Sequence, residues 1–462
     1  MRDKRQKNQL QLAFLAEARS EAPNSASEGI ESPIAEHPAE SPTTSEHLME
    51  EVCERENLKK ALRRVKANKG SPGIDGMSVE ELPEYLKEHW PIIREQLLAG
   101  TYRPAPVKRV EIPKPAGGGT RKLGIPTALD RFIQQAVLQV LQPSWDATFS
   151  AHSYGFRPGR SQHQAVAQAQ HYIAEGYRVV VDIDLEKFFD QVNHDILMER
   201  IARRVDDKRV LKLIRAYLRA GVMENGLVSA TERGTPQGSP LSPLLSNLIL
   251  DELDKELERR GLRFCRYADD SNIYVKSERA GQRVMASVSQ FINRKLKLRV
   301  NQEKSAVGRP SERKFLGFTF TADDEPKRKI APQAIKRFKD KVREITRRSR
   351  GISVPRMAEE LREYLQGWSN YFGYCQTPIV LRDLDSWVRR KLRCYIWKQW
   401  ETKPNRYQQM RKLGVRADHA KSTADSSHGP WPMSRTPSLH KALDKAYFRK
   451  LGVPELEVRM NV

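Results

Sequence analysis

The chain has 462 residues, 39% of them hydrophobic, and a formal net charge of +23. That length suits two to four domains, and the charge points to a polyanionic partner, most simply nucleic acid. No apolar run is long enough to span a membrane, and the four scattered cysteines (Cys53, Cys265, Cys375, Cys394) lack metal-ligand spacing and read as reduced thiols of a cytosolic protein.

Met1 to Arg19 reads as a short basic helix. Glu21 to Glu46, rich in Ser, Pro, Glu and Ala, reads as a disordered linker. From Ser20 to Glu51 there are eight Glu and no Lys or Arg, so the positive charge is concentrated elsewhere. Residues 1–47 therefore precede the folded part, which begins near Leu48. Leu58, Leu62 and Val65 fall on one helical face. Lys69 to Gly76 is a loop by its Gly and Pro density. Val107 to Pro113 alternates like a strand, Gly117 to Gly119 turns, and Arg121 to Ile125 returns as a second strand. Gln134 to Leu141 looks helical.

Val179 to Asp184 is a buried strand by its β-branched content. Helices follow from about Asp195 to Ala220, then a Pro-rich loop, Pro236 to Pro240. Leu241, Leu244, Leu245, Leu248, Leu253 and Leu257 mark a long amphipathic helix. Arg263 to Arg266 and Asn272 to Val275 flank Tyr267-Ala268-Asp269-Asp270, a hairpin with both acids at its tip. A helix near Arg279 to Lys297 and a strand pair ending at Phe318 to Phe320 complete an α+β pattern. Beyond Lys327 the chain turns helical and basic, with eleven Lys or Arg against two acids through Arg350.

Adjacent carboxylates on a turn repel one another, which makes sense if a hard divalent cation sits between them. Asp-Asp in a turn is otherwise ordinary. Asp184, ending a strand, supplies a third carboxylate, with capping of the next helix as the bland alternative. Three such acids can hold two Mg²⁺ ions for in-line attack of a hydroxyl on a phosphate. Lys114 and Arg121, on one hairpin, could clamp a triphosphate or be plain surface charges. Thr235 to Pro243 could present Gln237 to a base pair, or be an ordinary loop with Ser242 as a helix cap. Trp387 to Trp397 interleaves aromatics with cations, reading as core rings on a helix whose basic face binds nucleic acid.

The motifs KGSPGIDG (69–76), KLGIP (122–126), SYGFRPGR (153–160), DIDLEKFFD (182–190), TPQGSPLSPLLSN (235–247), YADD (267–270) and KFLGF (314–318) occur in one order. In this order they resemble the bacterial group II intron-encoded reverse transcriptases, the maturases, and most of all their class C branch. Gly367 to Phe372 resembles the family's maturase region. The resemblance implies a right-hand polymerase fold: an N-terminal extension (48–105), fingers (106–178), palm (179–322), an α-helical thumb or maturase domain (323–400) and a small DNA-binding segment (401–462).

By position, the resemblance makes Asp184, Asp269 and Asp270 the catalytic metal ligands, with the Leu185 backbone carbonyl, and Asp182 a neighbour. Lys114, Arg121 and Gln237 would hold the incoming nucleotide. Phe189 would discriminate against a 2′-hydroxyl by placing a ring under the sugar. Lys304 falls in a motif proposed to assist pyrophosphate departure, though a solvated lysine is the commoner case. The implied cofactor is Mg²⁺, two ions, with Mn²⁺ able to substitute. The implied partners are group II intron RNA, an RNA template with a DNA or RNA primer, a DNA target and dNTPs, without a membrane, in the bacterial cytoplasm and on the nucleoid when DNA-bound. No His and paired-Cys cluster follows Cys394, so second-strand cleavage by an HNH nuclease is not expected. Rival readings are a splicing-only RNA-binding maturase and a domesticated reverse transcriptase of DNA repair or phage defence.

Overall fold

The computed structural model describes residues 47–113, 119–224, 227–229, 233–235 and 238–456. The expected basic helix and acidic linker before Leu48 lie outside these residues. The described chain divides into two compact units at Pro310.

The first unit opens with α1 (Leu48–Val52), α2 (Arg55–Ala67) and α3 (Leu82–Leu98). On α2, Val65 is buried and Leu58 and Leu62 pack against the core, as their helical spacing predicts. β1 (Val107–Pro113) and β2 (Thr120–Ile125) form an antiparallel pair with Ile112 opposite Arg121. β4 (Val222–Glu224) joins β1 in parallel, and β5 (Leu227–Ser229) joins β4, giving a four-stranded sheet of order β2-β1-β4-β5. α4 (Ala128–Asp146) is longer than the Gln134–Leu141 expectation because Thr127 caps it, accepting the Asp130 N–H at 3.0 Å.

α5 (Gln162–Ala174), β3 (Val179–Ile183), the short α6 (Phe188–Gln191), α7 (His194–Ala202) and α8 (Lys208–Arg219) follow. Then come α9 (Ser242–Arg259), β6 (Arg263–Tyr267), β7 (Asp270–Val275), α10 (Glu278–Phe291) with a wider turn of π-helix (Ile292–Leu296), and β8 (Ala306–Gly308). A second sheet has the order β6-β7-β3-β8, antiparallel throughout. Period-two alternation sends Val181, Ile183, Phe264 and Ile273 into the core shared with Leu244, Leu248, Val288 and Ile292 of the covering helices. Tyr274 faces the other side, where its ring meets Tyr172 of α5 at 5.7 Å. Ser242 does not cap α9. Leu241 holds the cap position without a side-chain bond, and Ser242 is the first helical residue.

The second unit begins with a hairpin, β9 (Phe318–Phe320) and β10 (Arg328–Ile330). The expectation of a strand pair ending at Phe318–Phe320 is corrected here. That stretch pairs forward with 328–330, because Phe318 roots a ring cluster with Tyr371, Phe372 and Tyr374. α11 (Pro332–Ile345), α12 (Val354–Phe372) and α13 (Pro378–Gln399) come next, then α14 (Lys403–Lys412), α15 (Ala417–Asp425), α16 (Pro430–Met433), α17 (Pro437–Ala442) and α18 (Lys445–Lys450). Phe338 of α11 meets Trp368 of α12 at 4.4 Å. α13 buries Leu392, Tyr395 and Trp397, and its Arg393 Nε donates to the Leu443 carbonyl at 3.0 Å. The fold is thus an α+β domain followed by a helical region. Among the described residues no helix is long and apolar enough to cross a membrane.

Candidate active site

β3 and β7 lie side by side with Asp182 opposite Asn272 and Ile183 opposite Ser271. Continuing that register brings Asp184, the residue after β3, across from Asp270, the first residue of β7. Ala268 and Asp269 form the two-residue turn, since Tyr267 pairs with Asp270. Asp184 caps no helix: the cap of α6 is Lys187. Its backbone is held instead by the 299–305 loop. Ser305 Oγ accepts the Asp184 N–H at 3.0 Å, and the Asp184 carbonyl accepts the Asn301 N–H at 2.8 Å. Leu185 bridges Val300, while the bonds of that pair run through Asp184 and Glu186. In such a pair Leu185's own carbonyl points away from its partner strand.

Asp269 is half-buried. Burial raises its pKa, and the negative charge of Asp184 raises it further, while Arg121 and Lys304 pull it down. Two acids and two cations therefore share one electrostatic neighbourhood. Lys304 is a largely exposed lysine whose Nζ lies 3.4 Å from Asp184 Oδ1, an ion pair on the surface. Such a contact is readily exchanged. Asp182 is occupied inside the sheet, where the Asn272 amide lies 3.2 Å from its Oδ1. Among the described residues no three His, Cys, Asp or Glu side chains already converge as a metal cage. Even so, the Asp184 and Asp269 carboxylates, together with the Leu185 carbonyl, are the hard oxygen donors that a divalent cation prefers.

The turn is rigid. Ala268 adopts a left-handed φ of 56°, which costs an L-residue roughly 1–2 kcal/mol. Its carbonyl accepts a hydrogen bond from Arg266 Nη1 at 3.0 Å. Against it packs the 150–157 loop, itself fastened by Arg157, whose Nε donates to Asp146 Oδ1 at 2.7 Å and Nη1 to the Ser153 carbonyl at 3.0 Å. A Cβ on Gly155 would stand 2.2 Å from Ala268 N, so only glycine admits this approach.

Phe188 is core, at 2% exposure, and Phe189 is half-buried with its ring 5.2 Å from that of Phe188. The Phe189 carbonyl accepts the Thr235 N–H at 2.7 Å. His194 Nε2, 2.7 Å from the Gly234 carbonyl, holds the same strand of loop. Downstream, Gly238 (φ 112°) abuts β2: a Cβ there would lie 3.0 Å from the Gly124 carbonyl. Ser239 Oγ makes a short hydrogen bond with Gln134 Oε1 of α4. Both flanks of the Gln237 loop are thus fixed. Gln237 and Lys114 themselves lie outside the described residues.

In the second unit, Trp387 stands among Lys339, Arg343 and Lys391, each with its charge 5.6–5.9 Å from the ring centroid. Arg390 stacks on Trp431 at 3.5 Å, and Lys391 lies 5.4 Å from that ring. Trp431 is 41% exposed. Burial lowers the Lys391 pKa, and the like charges of Arg343, Arg348 and Arg390 lower it further. Trp387 therefore belongs to a cationic surface, whereas Tyr395 and Trp397 are core.

Paired strand-end acids with flanking cations, on an antiparallel sheet backed by helices, define a nucleotidyl-transfer class of protein. The family model described as "Reverse transcriptase (RNA-dependent DNA polymerase)" matches residues 112–320. The one described as "Group II intron, maturase-specific domain" matches residues 335–414. The chain is 33% identical to "Protein YkfC" of Escherichia coli, covering 57% of this chain and 79% of that protein. It is 30% identical to "Group II intron-encoded protein LtrA" of Lactococcus lactis, covering 56% of this chain and 54% of LtrA. It therefore spans about four-fifths of the first relative and about half of the second. A solved chain of the "Partial Cas6-RT-Cas1--Cas2 complex" is 27% identical at a TM-score of 0.35, covering 54% of this chain and 42% of that one, too slight a likeness to bear on the fold. The chain belongs to the group II intron-encoded reverse transcriptase/maturase family, and its catalytic domain is of the RNA-directed DNA polymerase type. Such domains depend on divalent metal.

Arg266, Asn247 and Gly155 carry no role in the sequence reading. A signal was present: Arg266 alternates with Phe264 onto the core face of β6, where a charge needs a partner.

Proposed function

We propose that this protein extends a primer on an RNA template with dNTPs, using two Mg²⁺ ions for which Mn²⁺ can substitute, and that it binds its parent intron RNA to assist splicing and retrohoming into DNA. The carrying observation is the juxtaposition of Asp184 with the Asp269–Asp270 turn across β3 and β7. Asp184, Asp269, Asp270 and the Leu185 carbonyl would hold the metal. When bound, it supplies charge neutralisation for the attacking 3′-hydroxyl and the departing pyrophosphate. Arg121 and Lys114 bind the triphosphate, and Gln237 borders the nascent base pair. Phe189 lies under the sugar and excludes a 2′-hydroxyl. Lys304, 3.4 Å from Asp184 and largely exposed, follows the leaving pyrophosphate.

The extension is assigned to 48–105, fingers to 106–178, palm to 179–322, thumb to 323–400 and the DNA-binding segment to 401–462. The cationic aromatic surface around Trp387 and Trp431 suits a nucleic-acid strand, phosphates on the cations and bases on the rings. The protein works in the cytoplasm, on the nucleoid when DNA-bound. The test is primer extension on RNA with dNTPs and Mg²⁺, comparing wild type with Asp269→Ala/Asp270→Ala. Full-length cDNA from wild type alone is expected. A folded, RNA-binding wild type that makes none would overturn the polymerase reading.

A further inference from the structure

We propose that Arg266 is a positioning residue. It clamps the Tyr267–Asp270 turn and thereby sets where Asp269 and Asp270 present their carboxylates to metal. This rests on the polymerase reading above.

Arg266 and Asp254 are both completely buried. Arg266 Nε donates to Asp254 Oδ1 at 2.7 Å and Nη2 to Asp254 Oδ2 at 2.5 Å. That fork alone neutralises the buried charge. Nη1 does something further, donating to Asn247 Oδ1 and to the Ala268 carbonyl, both at 3.0 Å. A peptide plane is rigid, so fixing the Ala268 carbonyl also fixes the direction of the Asp269 N–H and the place of its Cα. The same turn residue carries the left-handed φ.

The anchor extends outward from there. Asn247 Nδ2 donates to the Gly155 carbonyl at 2.8 Å, and the Gly155 Cα packs on Ala268 N. The Arg266 backbone closes the ring: its N–H donates to the His152 carbonyl, and its carbonyl accepts the Tyr154 N–H, each at 2.9 Å. The guanidinium thus ties α9 to the turn, while the Asn247 side chain and the Arg266 backbone tie in the 150–157 loop. A lysine would keep the charge but lack the planar fork that reaches two partners at once.

The test uses the full chain with Arg266→Lys and the paired variant Arg266→Met/Asp254→Leu, which exchanges the buried ion pair for apolar volume and so protects folding. Three readouts are taken. These are amide hydrogen exchange across 267–271, Mn²⁺ binding by electron paramagnetic resonance with template–primer bound, and the metal dependence of primer extension. Both variants should keep template–primer affinity. Their turn amides should exchange faster, and their Mn²⁺ affinity should fall about 10- to 100-fold, as when a residue behind a metal ligand is lost. The half-saturating metal concentration should rise in parallel, while the dNTP KM at saturating metal stays put.

Wild-type exchange and Mn²⁺ binding in the paired variant would overturn the proposal. So would activity lost only in proportion to the unfolded fraction at every metal concentration. If the wild type itself extends no primer, the polymerase reading fails, while exchange and Mn²⁺ binding still decide the role of Arg266.

Discussion

Gly155→Ala tests how tightly the site is built. The new methyl would lie 2.2 Å from Ala268 N and 3.0 Å from both Ala268 Cα and the Tyr267 carbonyl carbon. Ordinary contact begins near 3.5 Å, so one backbone must retreat by about 1 Å or more. Neither can retreat freely. The Gly155 carbonyl is held by Asn247 and the Ala268 carbonyl by Arg266. The strain therefore falls on the turn, and Asp269 moves with it. A displacement of about 1 Å in a catalytic group lowers the rate roughly 100-fold, or about 2.7 kcal/mol of barrier. Overpacking itself should destabilise the fold by about 1–3 kcal/mol, a fall in Tm of only a few degrees for a unit of this size. The assay is single-turnover primer extension at saturating dNTP and metal, with melting curves alongside. Gly429→Ala is the control, since a Cβ there meets nothing within 4 Å. A Gly155→Ala rate within about twofold of wild type, from a protein of unchanged Tm, would refute the reasoning.

Phe189→Ala should admit ribonucleotides, raising the rNTP:dNTP incorporation ratio by about one to two decades; an unchanged ratio would remove the sugar-facing role. Trp431→Ala should weaken single-stranded nucleic-acid binding by about 1–3 kcal/mol, and Lys391→Ala should lower the salt slope by about one. Equilibrium titrations across a salt series check both, and a flat series in the wild type would show the basic surface to be idle. Asp207 supplies a pH dependence. Burial pushes its pKa up, but hydrogen bonds from the Arg209 side chain and the Met49 and Arg209 N–H groups outweigh this and hold it below the usual range. A depressed folded pKa means stability that is present above the unfolded value of about 3.9 and lost as pH falls through the folded one. Urea unfolding of wild type should therefore weaken below about pH 4 more steeply than that of Asp207→Asn; parallel curves would contradict it.

Local chemistry made much of this protein legible in its sequence. Alternation placed β1, β-branched content placed β3, and the Leu spacing of α9 placed its buried face, because side-chain periods and strand preferences follow from backbone geometry. The acids of the YADD turn and the order of the motifs were enough to point to the family. Where adjacent segments compete for a partner, the local pattern misled. Phe318–Phe320 could pair backward or forward, and only the ring cluster with Tyr371, Phe372 and Tyr374 sends it forward to Arg328–Ile330. That the exposed Lys304 also pairs with Asp184 was invisible because the two are 120 residues apart in the chain.

The same holds for the support beneath the turn. Gly155, Asn247, Asp254 and Arg266 each sit in a stretch whose local role is plain, a loop, a helix or a strand. Their joint action depends on side chains meeting from three separate elements. Local motifs, through the family they resemble, pointed to the groups proposed for the chemistry. Only tertiary packing, through a completely buried guanidinium and a glycine with no room for a methyl, decided how firmly those groups are held.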